Sequence, residues 1–144
     1  MTTPEIRDAR RSDLPRLNQL VTAAYEPFAG LLGLPDVTGG IAEHIAERTV
    51  LVAEYAGGVS GVVVADVAAP ETHVINLAVD PDHGNHGIGA ALIRAVEARA
   101  RATGADRVAL GSHAAFDGAL RFYRSLGWTE TGRDGVRVMM GRRL

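Results

Sequence analysis

The sequence predicts a mixed α/β fold, one β-sheet of about seven strands with about four helices on its faces. Three observations carry this. The stretch Val74–Leu92, VINLAVDPDHGNHGIGAAL, runs from an apolar strand through an acidic, glycine-rich loop into apolar residues at helical spacing. Upstream, Thr49–Ala56 and Val59–Ala68 read as two strands joined at Gly57-Gly58, a two-residue hairpin signal. Along the chain the elements come as strand, two helices, three strands, helix, strand, helix and two strands. Hairpin-linked strands followed by strand–helix–strand crossovers require a sheet with both parallel and antiparallel pairs.

Each element has a local reason. Glu5–Ala9 is a short first strand. Ser12 is the expected N-cap of the first helix, and Asp13 favours the positive end of its dipole. Leu14, Leu17, Leu20, Val21 and Ala24 mark one helical face, and Pro15 is tolerated so near the start. Residues 27–40 carry Pro27, Gly33, Pro35, Gly39 and Gly40 and read as irregular. A short second helix follows, with Ile41 and Ile45 on one face and His44, Glu47 and Arg48 on the wetter one. His73–Val79 is the strand that enters the glycine loop Asp80–His86. From Gly87 a long helix turns Leu92, Ile93 and Val96 inward and Arg94, Glu97, Arg99 and Arg101 outward, and Gly104 stops it. Arg107–Ser112 is a buried strand and Phe116–Leu126 a helix stopped by Gly127. Trp128–Gly132 and Val136–Arg142 are the last strands, joined by Arg133-Asp134-Gly135.

Composition narrows the function. The chain of 144 residues fits a single domain, residues 1–144, able to bury a proper core. A net charge of −2 gives no electrostatic reason to expect a nucleic-acid partner. The absence of cysteine removes disulfides, a thiol nucleophile and thiolate metal sites. No run is apolar enough for a membrane and no leader is recognisable, so a cytoplasmic protein is expected. All fifteen basic residues are arginine, so the chain offers no lysine of its own for modification.

The glycine loop is the chemical feature. A loop that ends at a helix N-terminus presents unsatisfied backbone N–H groups and the positive end of the helix dipole, which favour phosphate. Gly87 and Gly89 keep side chains out of the first turn, so a ligand can approach the backbone. Two other phosphate motifs do not fit: Leu92 stands where a dinucleotide fingerprint needs its third glycine, and no G-K-[ST] is present. His83 and His86 form an H-x-x-H, too few ligands for a metal site, and no metal is expected.

VDPDHGNHGIGAALI resembles motif A of the GNAT family of N-acetyltransferases, whose core is Q/R-x-x-G-x-G/A. The match falls on Gly84-Asn85-His86-Gly87-Ile88-Gly89, followed by Ala90, with Gly84 where the family usually has Gln or Arg. FDGALRFYRSLGW, Phe116–Trp128, resembles the family's motif B through Ala119, Phe122, Tyr123, Gly127 and Trp128, with Phe116 where an asparagine is common. The element order is similar to the acyl-CoA N-acyltransferase fold along nearly the whole chain. The resemblance implies that Gly84 through Ala90 hold the pyrophosphate of acetyl-CoA. It also implies that backbone groups of Leu77, Ala78 and Val79 bind the coenzyme and face the thioester carbonyl, and that Phe116 lies beside it. Tyr123 is implied both as a contact to the coenzyme near its sulfur and as the general acid that protonates the departing thiolate.

Transfer to an amine requires that the amine lose a proton, that the carbonyl oxygen meet an N–H donor, and that both substrates be held together. His73 is the candidate general base, because its side chain titrates in the useful range; Glu71, Glu54 and Asp66 are the nearby carboxylates. The resemblance implies that the acceptor, a small-molecule or peptide amine, enters over residues 25–48, where Tyr25, Glu26, Phe28, Asp36, Glu43 and Glu47 lie. Members of the family often form homodimers. The alternative is a non-catalytic acyl-CoA-binding or sensing domain of the same fold; a partner-docking domain without coenzyme is the third reading.

Overall fold

The computed structural model describes residues 3–25, 40–84 and 86–144. Among them are seven strands in one mixed sheet, ordered β1-β2-β3-β4-β5-β7-β6, and four α-helices. The strands are β1 Glu5–Asp8, β2 Thr49–Tyr55, β3 Gly58–Asp66, β4 Glu71–Val79, β5 Arg107–His113, β6 Thr129–Asp134 and β7 Arg137–Arg143. The helices are α1 Leu14–Tyr25, α2 Ile41–Glu47, α3 Ile88–Thr103 and α4 Asp117–Ser125. The expected order of elements is thereby met. No described helix is long and apolar enough to cross a membrane. The chain forms two compact units, Met1–Ala65 with Asn76–Ala95, and Asp66–Ile75 with Val96–Leu144.

In the first unit, β1 and β3 both pair antiparallel with β2. The apolar face of α1 is the one its spacing predicts: Leu17, Leu20 and Val21 are buried, and Leu14 and Ala24 are partly so. They pack with Ile41 of α2, Val50 and Val52 of β2, Val62 and Val64 of β3, and Ala78 of β4. Each fully buried Leu, Ile or Val among them contributes about 1.5–3 kcal/mol on leaving water. The β2–β3 turn differs from expectation by one residue. Tyr55 pairs with Gly58, so the two turn residues are Ala56 and Gly57, with φ of 54° and 88°. Positive φ at both positions is the type I′ geometry that matches strand twist, and Ala56 accepts it although it is not glycine.

The entry to α1 also differs. Ser12 lies inside a 3₁₀ turn, Arg11–Asp13, and caps nothing. Asp13 is the third residue of that turn and reaches back to accept the N–H of its first flanking residue, Arg10, at 2.7 Å. It is held in turn by the Arg7 guanidinium at 2.9 and 3.0 Å, and that contact keeps its carboxyl below the usual carboxylate range.

In the second unit, β5 pairs antiparallel with β7, and β7 with β6. Asp134 opposes Arg137, which leaves Gly135 and Val136 as the turn rather than Arg133-Asp134-Gly135. The outward placement of Glu97 is overturned. Glu97 is 1% exposed, accepts the Trp128 indole N–H at 3.3 Å and pairs with Arg142 at 3.1 Å. A buried carboxylate is tolerable only with such partners.

Candidate active site

The glycine loop is built from its anchors outward. After β4 ends, the Asp80 N–H donates to the Ser60 carbonyl of β3 at 2.8 Å. Its carboxylate accepts the Asp82 N–H at 2.9 Å and Arg16 Nη2 of α1 at 2.6 Å. The Asp82 N–H first, and Arg16 after it, hold this carboxyl below its ordinary range. Asp80 therefore stays charged and fixes the 3₁₀ turn Pro81–His83 that carries the chain into the loop. Gly84 has φ −61° and ψ 152°, ordinary values for any residue. Among the described residues, a Cβ there would meet only the Pro81 carbonyl, at 3.7 Å. Asn85 lies outside the described residues.

Gly87 has φ +75°, and beyond its chain neighbours nothing among the described residues lies within 4 Å of where its Cβ would be. The Ala91 N–H donates to its carbonyl at 3.0 Å, the first helical bond of α3. Ile88, Gly89 and Ala90 open the helix, and their N–H groups come before its first turn of carbonyls. A helix start of this form, behind a side-chain-free residue, fits a phosphate group.

The first turn of α3 is held by a residue that sequence reasoning passed over. A Cβ at Gly61 of β3 would stand 2.6 Å from Ile88 Cγ2 and 3.0 Å from Leu92 Cδ1. Ile88 and Leu92 are 1% and 0% exposed, so they seat α3 on the strand only because Gly61 has no side chain. A lone glycine in a valine-rich strand is the available signal of close approach, though it does not say what approaches. Gly61→Ala should cost about 1–3 kcal/mol by overpacking. It should also weaken coenzyme binding by displacing the helix start; chemical denaturation and calorimetric titration check the two effects.

On β4, Ala78 is buried in the α1 core while Leu77 and Val79 are half-buried. The parallel ladder of β4 with β5 runs from Glu71 opposite Arg107 to His73 opposite Ala109, and β4 continues beyond it to Val79. Tyr25, at the end of α1, donates to Asn76 Oδ1 at 2.9 Å, and burial pushes its hydroxyl pKa up. Glu43 and Glu47 lie exposed on α2; Glu26, Phe28 and Asp36 fall outside the described residues.

The second unit carries the remaining candidates. Tyr123 is 5% exposed on the buried face of α4, with the rings of Phe122 and Trp128 each 5.1 Å away. Phe116 precedes α4, accepts the Leu120 N–H at 3.0 Å and sets its ring 5.8 Å from His113. His73 is exposed, with Nε2 3.0 Å from Glu71 Oε1, and the other oxygen of Glu71 takes Arg107 Nε at 2.8 Å. An Nε2–H donated to Glu71 leaves Nδ1 as the basic nitrogen.

A mixed seven-stranded sheet, with a phosphate-ready helix start after the fourth strand, is the acyl-CoA N-acyltransferase fold. The model of the acetyltransferase (GNAT) family matches residues 14–128, and the chain belongs to that family of N-acetyltransferases. No curated protein sequence matches the chain. Among solved structures, it is similar to the PaiA N-acetyltransferase of Thermoplasma acidophilum in complex with coenzyme A, with TM-score 0.86, 19% identity and 99% of each chain covered. It is similar to the ribosomal-protein-S18-alanine N-acetyltransferase of Escherichia coli, with TM-score 0.78, 23% identity and 99% of this chain and 94% of that one covered. It is also similar to YncA of Salmonella typhimurium with its cofactor acetyl-CoA, with TM-score 0.74, 20% identity and coverage of 99% and 94%. At these identities the likeness is one of fold.

Proposed function

We propose that this acetyltransferase binds acetyl-CoA on the loop Gly84–Ala90 and passes the acetyl group to a primary amine by direct attack within a ternary complex. The observation that carries this is the start of α3, pinned at Gly61 and opened by Gly87, whose N–H groups suit a pyrophosphate. The course of β4 past its ladder with β5 supports a second contact. Backbone groups of Leu77 and Val79 receive the pantetheine arm as an added strand, and an N–H near Leu77 or Ala78 faces the carbonyl oxygen as it gains charge. Phe116 lies against the coenzyme.

The amine nitrogen forms a bond to the thioester carbon while the carbon–sulfur bond breaks. His73, through Nδ1 and with Glu71 orienting its ring, accepts the amine proton. Tyr123 donates a proton to the leaving sulfur. The acceptor is a small-molecule or peptide amine. No covalent enzyme intermediate is needed, in keeping with a chain without cysteine.

Initial-rate kinetics with acetyl-CoA and a panel of amines, read by release of free coenzyme thiol, test this reading. Intersecting double-reciprocal lines are expected; parallel lines would mean a covalent acetyl-enzyme and overturn it. Glycine at position 84 favours a second reading, a domain that binds acyl-CoA without turning it over. Saturable binding with no acetylated product across the panel would establish that one instead.

A further inference from the structure

We propose that Tyr55 and His86 form a dyad in which Tyr55 holds the imidazole of His86 as a side-chain donor to the coenzyme pyrophosphate. This rests on the coenzyme site proposed above. The pyrophosphate is anionic, and the side chains nearest the start of α3 are poorly suited to it. Asp80 and Asp82 are acidic, while Gly84 and Gly87 have no side chain. Arg16 is committed to Asp80 and to the Val59 carbonyl. Of the two described histidines in the loop, His83 has Nδ1 buried without a hydrogen-bond partner among the described residues, 3.7 Å from Asp80, and its ring lies 5.7 Å from that of Tyr55 with 74° between planes.

His86 is placed differently. It directly precedes Gly87, is exposed, and stacks on the Tyr55 ring at 5.1 Å with 29° between planes. The Tyr55 hydroxyl lies 3.1 Å from His86 Nδ1. Nε2 has no protein partner among the described residues. A hydroxyl both donates and accepts, so Tyr55 can satisfy Nδ1 in either protonation state of the ring. In the neutral ring an anion beside Nε2 selects the tautomer with its proton there, and Tyr55 then donates to Nδ1. In the charged ring Nδ1–H donates to Tyr55 and Nε2–H still faces the anion. Tyr55 is thus a positioning residue and His86 a binding residue. The β2–β3 hairpin, which supplies Tyr55, becomes part of the coenzyme site.

The test is calorimetric titration of the whole protein with coenzyme A and with its 3′-dephospho form. Wild type, His86→Ala, Tyr55→Phe and the double variant are compared, with thermal denaturation confirming that each is folded. His86→Ala should weaken both ligands by about tenfold, the value of one charge-assisted hydrogen bond. Tyr55→Phe, which keeps the stacking and loses the hydroxyl, should weaken both by about threefold. The double variant should be no weaker than His86→Ala alone, because the hydroxyl acts through the ring. Unchanged affinity in His86→Ala overturns the proposal. So does weakening confined to coenzyme A, which would place His86 on the 3′-phosphate, or an additive double variant. Absence of binding by wild type would instead refute the coenzyme site itself.

Discussion

Tyr123→Phe should lower kcat by about a hundredfold or more and leave the affinity for acetyl-CoA unchanged. The phenyl ring keeps its place between Phe122 and Trp128, so α4 and its packing remain and only the oxygen is lost. Without the acid the sulfur must depart as a free thiolate, a step worth the usual factor of a positioned proton donor. An acetyl thioester of more acidic thiol needs that proton less, so the deficit should shrink with such a donor. Steady-state kinetics with both thioesters provide the check. An unchanged kcat would reduce Tyr123 to a core aromatic of α4 and leave thiolate departure to solvent.

Glu97→Ala should destabilise the protein by about 3 kcal/mol, the lower part of the range for breaking a buried ion pair. At this chain length that corresponds to a fall in Tm of roughly 10 °C. The carboxylate is 1% exposed and serves both the Trp128 indole N–H and the Arg142 guanidinium. Its removal leaves the indole donor buried without an acceptor. The Arg142 side chain is 29% exposed and recovers part of its loss from water, which sets the estimate at the low end. Glu97→Gln keeps an acceptor for Trp128 and should lose less. Thermal and urea denaturation measure both; a change below 1 kcal/mol for Glu97→Ala would contradict the assignment.

The same glutamate shows where sequence reasoning stops. Leu92, Ile93 and Val96 declare the inner face of α3 by spacing alone, because apolar periodicity is a local property. A glutamate beside them reads as solvent-facing unless its partners are known, and Trp128 and Arg142 lie 31 and 45 residues further along. Tyr55 and His86 are likewise 31 residues apart, so the hairpin's contact with the loop left no trace in any spacing. Small offsets have local causes. Gly57-Gly58 offers two residues free to adopt positive φ, and nothing in the sequence shows that Ala56 would take one of those places. Ser12 is a good cap by type, but Asp13 reaches the Arg10 N–H and is also clamped by Arg7. By contrast, the strand, the glycine loop and the α3 start were legible, since an apolar run, a turn and a helical period follow one another without interruption.

The most direct measurement is calorimetric titration of acetyl-CoA into the wild-type protein and into Gly87→Glu. At position 87 the φ of +75° makes any side chain cost about 1–2 kcal/mol, so the variant remains folded while its carboxylate competes for the α3 donors. One-to-one saturable binding by wild type and no detectable binding by Gly87→Glu is the predicted result. No heat from wild type at millimolar acetyl-CoA, or equal affinity in the two proteins, would contradict a coenzyme held at the start of α3.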